Sequence, residues 1–220
     1  MKINLSLNKQ RKQVLLLYST SAIAVVVGLL SSIINTRFLD PSDYGDVRYV
    51  QNIINFIASL LLFGYFLSGC RLLAISKDED RSRRIRGALL IILGIASAVL
   101  ISAVAICIFI HNDKPAVSHL FLLSLPVCLS PLLVNYINNV AQGDNHIGRL
   151  SIARLLPSLL YVIIAYYVYS HFGASSSRML LLQMGISTVI VSIIILSEHP
   201  SFKELAPIFR DLHKENKRYG

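Results

Sequence analysis

The sequence predicts an all-α integral membrane protein built as a single bundle of six transmembrane helices. Three observations carry this. Of the 220 residues, 54% are hydrophobic and only 15% charged, with a mean hydropathy of +0.61. A soluble domain carries about a quarter charged residues. Charge is absent from 13–36, 49–70, 87–112, 115–143, 155–177 and 179–197, each at or beyond the ~20 residues a helix needs to cross hydrocarbon. Finally, none of these runs alternates polar and apolar positions over ~10 residues, which excludes a transmembrane β-barrel.

The predicted spans are 13–36, 47–69, 87–110, 118–140, 152–170 and 179–197, within a bundle covering 1–200. Lys2, Lys9, Arg11 and Lys12 give the first span the look of a secretory leader. Its apolar run is too long for one, and Asn35 and Arg37 stand where small residues would mark cleavage. Short links of about 39–44, 111–117, 141–150 and 171–177 force neighbouring spans to lie antiparallel. The longer link 71–86, "RLLAISKDEDRSRRIR", is expected to begin as an extension of the second helix. In 201–220, Phe202, Leu205, Ile208, Phe209 and Leu212 recur on one face, so an amphipathic helix in the headgroup plane is expected.

The net charge of +9 is distributed by side. With alternating helices, all but Arg37, Arg48, Lys114 and Arg178 of the 21 basic residues fall on the side of the termini. That asymmetry places both termini in the cytoplasm. It accounts for the basic balance through topology and attraction to anionic lipids rather than nucleic acid. Cys70, Cys107 and Cys128 have no metal or CxxC spacing and read as small apolar residues.

Polar side chains inside a membrane belong to the bundle interior or to a wet cavity. Arg48, Gln51/Asn52, Asn55 and Ser59 form one helical stripe in the second span. Ser124, Pro131, Asn135, Asn138/Asn139 and Gln142 repeat the pattern in the fourth. Shorter stripes occur in the fifth (Arg154, Ser158, Tyr161) and the first (Thr20, Gly28, Ser31, Asn35). Prolines 126, 131 and 157 suit kinked helices. The chain has no HExxH, GxSxG or phosphate-binding glycine loop and no Asp or Glu inside a predicted span. An enzyme, a cofactor and a metal site are therefore not expected.

"NTRFLDPSDYGDVRYVQNIINFI" resembles the first hairpin of Wzx-type O-antigen (polysaccharide) flippases, in a superfamily that also holds the MATE multidrug transporters and the lipid II flippase. There the first helix typically ends in Arg, followed by Leu-Gly-Pro, an acidic residue, an aromatic and Gly. This chain keeps Arg37, Leu39, Pro41, Asp43, Tyr44 and Gly45, and departs at Asp40 where Gly is usual. "RSRRIRGALL", "NNVAQGDNHIGRLSIARLLPSLLY" and "FKELAPIFRDLHKENKRYG" are similar, in order, to the approach to the family's third helix, its inner link into the fifth, and its linker towards a seventh.

The resemblance implies transport of undecaprenyl-diphosphate-linked oligosaccharide between the leaflets of a bacterial inner membrane, for O-antigen or another surface polysaccharide. It implies a cationic cavity, for which Arg37, Arg48, Asn52, Asn55 and Arg154 are the candidate lining residues. The family has two bundles, so one bundle followed by a cytoplasmic linker at 201–220 implies a truncated form that pairs with a second copy or a separate C-terminal half. The rival expectations are a non-transporting scaffold of a polysaccharide-assembly complex and a half-size multidrug or ion-coupled transporter.

Overall fold

The computed structural model describes the backbone of residues 2–62, 64–76 and 78–219, with side chains from 15 to 218 apart from 63 and 77. The side chains of Lys2, Lys9, Arg11, Lys12 and Lys77, which entered the charge asymmetry, lie outside the described residues. The described backbone forms nine helices and no strand. They are α1 Lys2–Phe38, α2 Pro41–Leu61, α3 Tyr65–Ile75, α4 Glu79–Ile110, α5 Pro115–Ser124, α6 Ser130–Gly143, α7 Ile147–Phe172, α8 Ser176–Leu196 and α9 Leu205–Tyr219.

Four of them are long and apolar enough to cross a membrane: Leu15–Phe38 of α1, and α4, α7 and α8. Taking α2 and α3 as one bent span makes five. The expected count of six is not reached on length and composition, because two expected spans are interrupted. The run 47–69 becomes α2 and α3, which meet at 57°. Gly64 stands in the break at φ 73, a left-handed conformation that a residue with a Cβ adopts only at a cost. The run 118–140 becomes α5 and α6, parted by turns at 125–129 that contain Pro126. A proline there removes a donor and clashes with the carbonyl one turn back.

The first connection is tighter than the sequence suggests. Pro41 opens α2 at its first turn and Asp40 is the N-cap residue, without a side-chain cap bond. Pro41 and Asp43 therefore lie in the first turn of the helix and not in a link of about 39–44, and Gly45 lies inside the helix with open space around it. A proline is pre-set for that first turn. Asp43 offers negative charge to the helix N-terminus. Asp40 sits at φ −63, so the absence of Gly there imposes no strain.

The inner link is mostly helical, since α3 runs to Ile75 and α4 starts at Glu79. Asp78 caps α4 by accepting a bond from the Asp80 N–H at 3.1 Å. At the opposite end Gly173 (φ 79) closes α7, and Arg178 donates to the carbonyls of Phe172 and Gly173. The end where α4 and α7 begin and α8 finishes is called proximal below, and the opposite end distal.

Phe121, Tyr136, Ile54, Leu89, Leu100 and Leu132 lie at the centre of the core, each less than 2% exposed. Helix α1 sits to one side, packed chiefly along α7, and turns Leu15, Tyr18, Val25, Leu29 and Ile33 outward. In lipid such residues need no protein cover. The tail is helical, and protein covers its apolar face. Helix α9 lays its apolar face against α3 and α4, burying Ile208 and Leu212. Arg81–Asp211 (3.1 Å) and Arg84–Glu204 (3.2 Å) pin the segment to α4.

Candidate functional site

A cavity of about 530 Å³ opens between α1, α2, α6, α7 and α8, within the range of small-molecule sites. Gly28 and Ser31 come from α1, and Arg48, Gln51 and Asn55 from α2. Ser130, Pro131 and Asn135 line it from α6, Pro157, Ser158 and Tyr161 from α7. The polar stripes of four helices thus converge on one space, as their 3.6-residue periodicity allows. The α8 contribution, Gln183 and Ser187, was not anticipated. Its signal was present, because Gln183 is the lone amide in the uncharged run 179–197.

Arg48 is the only charged side chain among the described lining residues. Its Nε donates to the Tyr44 hydroxyl (3.0 Å) and one terminal nitrogen to Gln51 Oε1 (3.1 Å). The guanidinium also lies 5.0 Å from the centre of the Tyr44 ring. Gln51 in turn donates to Gln183 Oε1 at 3.1 Å, joining α2 to α8. No ion pair joins Arg48 to a carboxylate among the described residues. Neutral dipoles therefore hold the cation in place and leave its charge available to an anion.

The other candidate residues divide. Asn55 lines the cavity beside Arg48. Asn52, which the sequence placed in the stripe with Gln51, is exposed and outside the lining, since the single step from Gln51 turns the side chain by about 100°. Arg37 is exposed on the last turn of α1, also outside it. Arg154 lies one turn before Ser158 and donates instead to Asn138 Oδ1 on α6 at 3.0 Å.

Behind the cavity wall is a buried polar knot. Asn35 Oδ1 accepts from the Tyr161 hydroxyl at 2.6 Å and from the Tyr169 hydroxyl at 3.4 Å, while Asn35 Nδ2 has no partner among the described residues. Tyr161→Phe removes the shorter bond and is expected to cost about 1–2 kcal/mol, read as a lower thermal midpoint in detergent. An unchanged midpoint would show that the knot does not hold α1 on α7.

The proximal end carries a second set of charges that the sequence did not reveal. Arg86 Nε meets Asp144 Oδ2 at 2.8 Å, with both side chains 5% exposed. Arg86 also reaches Glu79 Oε1 and the Glu198 carbonyl, both at 3.3 Å. The Glu198 side chain is 1% exposed, and among the described residues its nearest cation is Arg149, 3.9 Å from Oε1. Its Oε2 has no hydrogen-bond partner among the described residues. Burial above all pushes this carboxyl up to about 7; Asp144 adds to the rise while Arg86 and Arg149 oppose it. Among the described residues no three His, Cys, Asp or Glu side chains gather for a metal.

Several helices long and apolar enough to cross a membrane, around a polar, arginine-bearing cavity, define a multi-pass membrane protein. Residues 11–216 match the family described as Polysaccharide biosynthesis protein. The chain belongs to that family, which contains the Wzx-type flippases and whose members are transporters rather than enzymes. Its role lies in the biosynthesis and translocation of polysaccharide. No curated protein and no solved structure matches the chain.

Proposed function

We propose that the chain flips an undecaprenyl-diphosphate-linked oligosaccharide across a bacterial inner membrane, with the diphosphate held at Arg48. The observation that carries this is one arginine, free of any carboxylate partner among the described residues, facing a polar cavity in a member of this family. A guanidinium offers a planar fork that matches two phosphate oxygens, and within a membrane its field is little screened. Gln51, Asn55, Asn135 and Gln183 supply neutral donors and acceptors suited to sugar hydroxyls.

The cavity's volume suits the diphosphate and the first sugars; a facing second bundle, from another copy or a separate half, completes the route in this reading. In this reading α5 and α6 together make one crossing, which restores six and keeps both termini in the cytoplasm. Thiol labelling of Cys70 is then expected from the cytoplasmic face alone, and labelling from outside would reverse the orientation.

Arg48→Gln is expected to abolish surface glycan while the protein still inserts, and Arg48→Lys to restore part of it. Wild-type surface glycan in Arg48→Gln would sink the flippase reading and favour a scaffold.

A further inference from the structure

We propose that Glu198 is a proton-binding site whose occupancy decides whether the connection between α8 and α9 stays seated on the proximal end of α4. Among the described residues the geometry gives the carboxylate no adequate charge partner. Arg86, from α4, is already engaged by Asp144 at 2.8 Å and by Glu79 at 3.3 Å. Arg149, from α7, is 41% exposed and stands 3.9 Å from Oε1 only. Asp144, from the turn between α6 and α7, faces the site with like charge. From α6 the Tyr136 hydroxyl is spent on the Arg86 carbonyl at 3.3 Å, and His199 follows on the same segment. An ionised carboxylate with one buried oxygen unsatisfied is costly. It is relieved by taking up a proton or by moving out to water.

The segment that would have to move is held by few polar contacts, among them the Arg84–Glu204 ion pair at 3.2 Å, whose carboxylate is 79% exposed. Ser201 N–H donates to the Arg83 carbonyl at 3.0 Å, and the Glu198 carbonyl accepts from Arg86. His199 (φ 47) and Glu204 (φ 49) both adopt left-handed backbone without being glycine, a strain that release would relieve. Burial favours the neutral form, so the seated state holds the proton more tightly than an exposed carboxyl with its ordinary value of 4.5. Seating is therefore strongest in acid, weakens as pH rises above that value, and has lost all of the proton's contribution above about 7.

The test is hydrogen exchange of the Ser201 amide in the full chain, corrected for intrinsic rate, together with infrared detection of a protonated carboxylic acid. Between pH 6 and pH 8 the wild-type protection factor is expected to fall by about tenfold or more, with a carboxylic carbonyl stretch that titrates near neutrality. Glu198→Gln should remove both the stretch and the pH dependence, keeping Ser201 protected throughout, whereas His199→Gln should keep both. Flat wild-type protection, no titrating carboxyl stretch, or a pH response that survives Glu198→Gln would overturn the proposal. If Glu198→Gln does not fold, the wild-type stretch and His199→Gln decide: loss of the pH response in His199→Gln assigns the proton to the histidine.

Discussion

Asp144→Ala is expected to be the most damaging single change, lowering stability by about 3–5 kcal/mol, because it leaves the Arg86 cation buried without its closest partner. At 5% exposure the guanidinium has almost no water to replace the lost carboxylate. Glu79 touches a different nitrogen at 3.3 Å and is itself 64% exposed, so its help is screened. The size of the effect comes from the stranded charge, not from any large net value of the pair. The double change Arg86→Met with Asp144→Leu should therefore recover most of the loss, since replacing a buried pair by apolar side chains is often neutral or better. Unfolding midpoints of the two singles and the double, in one detergent, form the cycle. A single Asp144→Ala that melts with the wild type would show the pair to be hydrated.

Gly87→Ala follows, at about 2–3 kcal/mol. A Cβ built on Gly87 falls 2.1 Å from the Ser201 carbonyl oxygen and 2.9 Å from its carbon. Those are backbone atoms, so no side chain can rotate out of the way, and overpacking of this kind costs about 1–3 kcal/mol. Alanine's better helix propensity returns up to ~1 kcal/mol. The displaced Ser201 also loses its bond to the Arg83 carbonyl. Gly94 supplies the control on the same helix: nothing lies within 4 Å of its added Cβ. Gly94→Ala should be neutral or slightly stabilising. Equal midpoints for the two alanine variants would mean that 198–204 is not seated on α4 as described.

The sequence made some of this architecture readable and hid the rest for physical reasons. Uncharged runs located α1, α4, α7 and α8 because hydrocarbon tolerates nothing else over that length. The same signal runs unbroken through Gly64 and Pro126, since membrane helices accept both residues, and so it conceals the interruptions. Helical spacing brought Ser31, Arg48, Asn55, Asn135 and Ser158 to one cavity. It could not say that Arg154 would turn aside to Asn138, which depends on how α6 and α7 pack. The Arg86–Asp144–Glu198 cluster was the least legible. Its members stand at or beyond the ends of uncharged runs, where a charge normally reads as solvated. Their burial comes from α4, the α6–α7 turn and the α8–α9 connection meeting at one point.

The two interruptions also have a mechanical consequence when taken together. The distal pieces α2 and α5 pack on each other, and the proximal pieces α3 and α6 do the same, with α9 against α3. The molecule is thus divided across its height into two storeys, joined at Gly64, at 125–129 and where α2 touches α6. The unbroken helices α1, α4, α7 and α8 stand as posts through both. The natural deformation of such a building is a tilt of the lower storey against fixed posts. It would widen or narrow the space beside Asn135 without a swing of the whole bundle.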